Sequence, residues 1–116
     1  MERARTRKKA EMMQGTLDML ILRTLDRNAG PMHGYGIAQY IHRLSREVLT
    51  VEEGSLYPAL QRLAINGWVK SEWGVSDKNH RVRFYTLTPA GRKQLQREVD
   101  DFETVLEAMR RVLQPA

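Results

Sequence analysis

From Met13 through Leu17, Leu20, Ile21 and Leu25 the apolar positions recur at spacings of three and four, the period of a helix with one buried face. That spacing predicts a first helix over about 12–27. It ends at Asn28-Ala29-Gly30-Pro31, because Gly30 loosens the backbone and Pro31 lacks the N–H that a continuing helix needs. Ile37, Ala38, Ile41 and Leu44 repeat the pattern and predict a second helix over about 34–46. Val48, Leu49 and Val51 then read as a short extended piece. Thr50 and Glu53 have the spacing of a capping box, in which each side chain reaches a free backbone N–H at a helix start. A third helix is therefore expected from there, with Leu56, Leu60, Leu63 and Ala64 as its buried stripe, a bend near Pro58 and a stop at Asn66-Gly67.

Beyond that point the period changes. The runs WVKSEW (68–73) and VRFYTL (82–87) are rich in β-branched and aromatic residues, and the polar stretch Gly74 to Arg81 separates them, which predicts a hairpin with a charged tip. Thr88-Pro89 is a helix N-cap followed by a first-position proline. In the helix they open, Leu95, Val99, Phe102, Leu106, Met109 and Leu113 follow a 4-3-4-3-4 spacing, the mark of an a/d seam. The predicted order is helix, helix, short strand, helix, strand, loop, strand, helix. This is a mainly α chain with a small β-hairpin (α+β), a winged helix-turn-helix with a C-terminal helix added. The boundaries expected are a basic arm at 1–11, the winged helix-turn-helix at 12–88 and a dimerisation helix at 89–116.

Composition narrows the function. The 116 residues suffice for one hydrophobic core, and 19 Lys+Arg against 14 Asp+Glu leave a net charge of +5, which favours an anionic partner. Five cations, Arg3, Arg5, Arg7, Lys8 and Lys9, crowd the solvated arm. The absence of Cys excludes disulfides, thiolate nucleophiles and thiolate metal sites. Only His33, His42 and His80 remain as imidazoles, and 33 to 42 is not a ligand spacing on one helix face. The HGYG run at 33–36 lacks both the preceding strand and the Lys-Ser/Thr of a phosphate loop, and reads as a turn. No enzyme, metal or cofactor is expected. No apolar run reaches the roughly 20 residues of a spanning helix, and no secretory h-region follows the basic start, so no membrane partner and a cytoplasmic location are expected.

A winged helix presents its third helix to the major groove and its hairpin to flanking backbone or minor groove. Off the apolar stripe of that helix lie Ser55, Tyr57, Gln61 and Arg62, all able to hydrogen-bond to phosphate or base. The wing adds Lys78, Asn79, His80, Arg81 and Arg83. Singly each has a plainer role: Gln61 and Arg62 as a solvated face, Tyr57 as a ring packed under the wing, Lys78 and Arg81 as loop charges. Their conjunction on the two elements that meet DNA points to double-stranded DNA as partner. The alternative is a protein- or RNA-interaction module, which would lack salt-steep, sequence-dependent affinity for duplex DNA.

The segments HGYGIAQYI (33–41), GSLYPALQRL (54–63), NGWVKSEW (66–73) and RFYTLTPAGRKQL (83–95) closely resemble, in order and spacing, PadR-type transcriptional regulators. The resemblance spans the chain beyond the arm. It implies a homodimeric regulator, usually a repressor, acting on inverted-repeat operators, with Ser55, Tyr57 and Pro58 on the recognition-helix motif and Lys78 to Arg83 on the wing. It also implies release by a small aromatic effector near the dimer interface; some relatives stack that ligand on a Trp where this chain has Phe102. A palindrome requires two readers. The seam Leu95, Val99, Phe102, Leu106, Met109 and Leu113 lies on a terminal helix too long for so small a domain to cover. It is expected to form the dimer with Met13, Leu17 and Leu20 of the first helix.

Overall fold

The computed structural model describes residues 14–115. Met13 and the basic arm lie outside them. Among the described residues, four helices and three strands follow in the order α1 (Gln14–Arg27), β1 (Met32–His33), α2 (Gly34–Leu44), α3 (Glu53–Ile65), β2 (Val69–Val75), β3 (Arg81–Leu87) and α4 (Pro89–Leu113). The winged-helix architecture is as the periodicity implies, within a residue or two at most boundaries.

The core forms where the helical stripes meet. Leu17, Ile21, Leu22 and Leu25 of α1 pack with Ile37 and Ile41 of α2, with Leu56, Ala59, Leu60 and Leu63 of α3, and with Val69, Tyr85 and Leu95. Ile21, Leu22, Ile37, Leu56, Leu60 and Leu63 are fully buried, and each such side chain contributes about 1.5–3 kcal/mol relative to an exposed one.

Two local predictions need correction. The extended piece at 48–51 is not a strand: side chains of α2 and of its C-cap Ser45 take up the backbone groups of Leu49. The Leu49 N–H donates to Ser45 Oγ, and the Leu49 carbonyl lies 3.0 Å from His42 Nδ1, leaving no ladder to form. The missing strand is instead β1, two residues long, which pairs Met32 with Tyr85 and His33 with Phe84 in a sheet of order β1-β3-β2. A strand of two residues has no period to detect.

Nor does Thr50 cap α3. Its N-cap is Glu52, whose extended backbone (φ −81°, ψ 147°) turns the chain into the helix with no side-chain cap, the Leu56 N–H donating to the Glu52 carbonyl at 2.9 Å. Half-buried Leu49 and Val51 pack against the core just before this point, so tertiary packing sets where α3 begins. The helix runs on through Pro58 to Ile65.

At the far end of the sheet, Thr88 caps α4 as its sequence implies, accepting from the Gly91 N–H at 3.0 Å while donating to the Gly67 carbonyl at 2.7 Å. Gly91 lies so close to the sheet that a Cβ there would stand 2.0 Å from the Trp68 carbonyl oxygen. This contact fixes the angle at which α4 leaves the body. From Asp100 to Pro115 every residue except Leu106 is exposed.

Candidate nucleic-acid interface

The wing is a regular antiparallel ladder from Val69↔Leu87 to Val75↔Arg81. Its tip closes by a turn in which the Asn79 N–H donates to the Ser76 carbonyl at 2.9 Å and the Ser76 N–H to the His80 carbonyl at 2.8 Å. Asn79 takes the left-handed conformation (φ 63°), which Asn tolerates better than most residues. Asn79 thus shapes the tip, and Lys78, His80 and Arg81 stand exposed around it.

Strand alternation sorts the wing into two faces. Val69, Ser71, Trp73 and Val75 stand opposite Leu87, Tyr85, Arg83 and Arg81. Near the body this face packs into the core through Val69 and Tyr85. Further out it carries Trp73, Arg81 and Arg83, all exposed.

Between the wing, the start of α2 and α3 runs a groove of about 750 Å³, whose walls include Tyr35, Tyr57, Trp73, Lys78, His80 and Arg83. Three elements position these side chains. His33 caps α2, its Nδ1 accepting from the Gly36 N–H at 3.1 Å, and so sets the start of the helix that carries Tyr35. Tyr57 projects from α3 against Gly34, whose missing Cβ leaves room for the ring. Tyr85 stands behind them, 7% exposed. Burial pushes its phenol above the ordinary value of 10.0, Arg83 lowers it in part and Tyr57 raises it further, so it remains a protonated hydroxyl at neutral pH.

The predicted site residues divide accordingly. Tyr57, Lys78, His80 and Arg83 share the groove, while Arg81 stands beside Trp73. Ser55, Pro58 and Gln61 are exposed along α3 but do not line the groove. Arg62 turns the other way and donates from Nη2 to Asp18 of α1 at 2.9 Å, half-buried. Burial raises the Asp18 carboxyl above its ordinary value, and Arg62 offsets this only in part. The start of α3 also carries exposed carboxylates at Glu52 and Glu53, which oppose a phosphate at that helix end.

Tyr35, Gln39, Trp73 and Asp77 are among the groove residues that sequence reasoning missed. Alternation along β2 does put Trp73 on the face of Ser71 and Val75, but which residues oppose it depends on strand register. Tyr35 falls in the HGYG run that opens the second predicted helix, where nothing local marks it as a groove residue.

The seam on α4 splits in two. Leu95 (2% exposed) and Leu17 (3%) are used in the chain's own core, with Leu20 and Val99 packed at its edge. Nothing among the described residues covers Phe102, Met109 or Leu113, which are 42%, 55% and 80% exposed, and Leu106 is half-buried. Val105 and Val112 extend this apolar surface.

A winged helix whose hairpin and third helix converge on one basic, aromatic groove defines a DNA-binding transcriptional regulator rather than an enzyme. Residues 21–97 match the family described as Transcriptional regulator PadR-like, and the chain belongs to that family. It is 40% identical over 82 residues to the transcriptional regulator Rv3488 of Mycobacterium tuberculosis, covering 71% of this chain and 70% of that protein. Among solved structures it resembles a transcriptional regulator from Clostridium thermocellum, with a TM-score of 0.78 and 30% identity over 87% of this chain and 96% of the other. A PadR family regulator from Clostridium difficile is similar at a TM-score of 0.70 and 26% identity, covering 84% and 98%. No helix among the described residues is long and apolar enough to cross a membrane.

Proposed function

We propose that the protein is a cytoplasmic homodimeric repressor that reads an inverted-repeat operator with α3 and the wing. The observation that carries this reading is the convergence of Tyr57 with Lys78, His80 and Arg83 on one groove. Tyr57 offers a hydroxyl to base or phosphate beside three groups suited to the DNA backbone. Ser55, Pro58 and Gln61 along α3, and Asn79 and Arg81 on the wing, complete the contact surface. Arg62 serves as a strut: its pairing with Asp18 braces the reading helix against α1.

Dimerisation falls to the outer half of α4. Phe102, Leu106, Met109 and Leu113 present a continuous apolar stripe beyond the body, and a second copy of the same helix would bury it. Leu17, Leu20, Leu95 and Val99 then act from within each subunit by holding α1 and α4 together. Phe102 stands where α4 leaves the body, a position suited to a small aromatic effector that changes the angle between the two readers and releases DNA.

Selection of duplexes from a random pool, followed by sedimentation of the purified complex, tests this reading. An enriched inverted repeat carrying two chains is the expected result. Binding that is insensitive to sequence would sink the operator reading, and a single chain per site would sink the dimer.

A further inference from the structure

Trp73 is 52% exposed and does not belong to the core, so the fold gives no packing reason for its size. The register sets it directly opposite Arg83, with Val75 opposite Arg81, and all four project from one face of the hairpin. The guanidinium carbon of Arg81 lies 4.3 Å from the centroid of the indole ring, and that of Arg83 lies 4.9 Å from it. Both are inside the roughly 6 Å over which a guanidinium is drawn to the negative face of an aromatic ring. Arg83 is held from a second direction, its Nη1 donating to Ser71 Oγ at 3.0 Å. Trp73 and Arg83 both face the groove that contains Tyr57.

We infer that Trp73 is a positioning residue for DNA binding: its indole gathers Arg81 and Arg83 into an ordered pair before the duplex arrives. The inference rests on the proposed contact between wing and DNA. A free arginine on a hairpin loses much rotamer freedom when it docks on a phosphate or a base edge, and that loss weakens binding. An arginine already stacked on a ring has less to lose. The stack leaves the contact itself available, because a guanidinium attracts the ring through its planar face and hydrogen-bonds to an anion through its edges. Two cations held on one ring also concentrate positive potential on the groove side of the wing.

The test compares duplex affinity at fixed salt for the wild type, Trp73→Leu, Trp73→Phe, the double substitution Arg81→Gln/Arg83→Gln, and that double substitution combined with Trp73→Leu. Trp73→Leu is expected to bind on the order of tenfold more weakly with an unchanged Tm, since two arginine side chains then order only on binding, and Trp73→Phe, which keeps an aromatic face, to retain most of the affinity. With both arginines replaced, Trp73→Leu should cost nothing further. Wild-type affinity in Trp73→Leu would overturn the inference, and so would an equal loss in the arginine-free background, which would make the indole a direct DNA contact. A wild type that binds no specific duplex would instead bring down the regulator reading, and this inference with it. Relaxation of the arginine Nε–H groups in the free protein adds a check that needs no folded variant. Restricted motion of both is expected, and free motion would overturn the proposed ordering.

Discussion

The ring of Tyr57 rests on the bare Cα of Gly34: a Cβ at that glycine would stand 2.8 Å from Cε1 and 2.9 Å from the hydroxyl oxygen of the tyrosine. The first residue of α2 thus sets the position of a side chain on the reading helix. Gly34→Ala should displace the half-exposed ring rather than unfold the chain, because the clash is with the far end of a side chain and alanine favours the helix by up to about 1 kcal/mol. DNA affinity is expected to fall about tenfold, equivalent to roughly 1.4 kcal/mol, with Tm nearly unchanged. Tyr57→Phe should likewise weaken operator binding without a loss of thermal stability. A drop in Tm for Tyr57→Phe would mean that the hydroxyl serves packing instead.

Gly91→Ala is a different case. The added Cβ would meet the Trp68 backbone carbonyl at 2.0 Å and Leu87 Cδ1 at 2.8 Å, and that carbonyl is backbone already held by the Thr88 N–H at 3.1 Å, so it cannot swing aside. A loss of about 1–3 kcal/mol or more is expected, read as a lower urea midpoint. An unchanged midpoint would show that α4 can dock at another angle.

The two halves of α4 should respond oppositely to substitution. Leu95→Ala opens a cavity in the core and is expected to cost about 2–5 kcal/mol of stability. Leu106→Asp should leave the fold intact, yield monomers in sedimentation and abolish binding to a palindrome. An intact dimer of Leu106→Asp would remove the outer seam from the interface.

The pairing of Asp18 with Arg62 has a pH signature. The Asp18 carboxyl is raised above its ordinary 3.8, chiefly by burial. A carboxyl with a raised folded pKa takes up a proton on folding. Its contribution to stability is therefore fully present below the unfolded value and is lost as pH rises through the folded one. In urea titrations the advantage of the wild type over Asp18→Asn should be largest below pH 3.8 and shrink as pH rises above it. An advantage that grew with pH would mean that the ion pair outweighs burial.

Helical period, a Gly-Pro break, a Thr-Pro start and two β-prone runs were enough to read the order of helices, the wing and the long last helix, because each of these signals acts over neighbouring residues. Basic groups at 78–83 and Tyr57 could be assigned to a common surface for the same reason, since a known order of elements implies which of them face outward together. Other features depend on contacts between residues far apart in the chain. β1 exists only because β3 lies beside Met32 and His33, and α3 begins at Glu53 because Leu49 and Val51 pack on the core. Arg62, polar and off the stripe, pairs with Asp18, 44 positions away, and no local pattern announces that contact. The α4 seam has one unbroken spacing, yet the body covers its first part and leaves the rest bare. Spacing records which side chains share a face; what that face meets depends on where the rest of the chain packs.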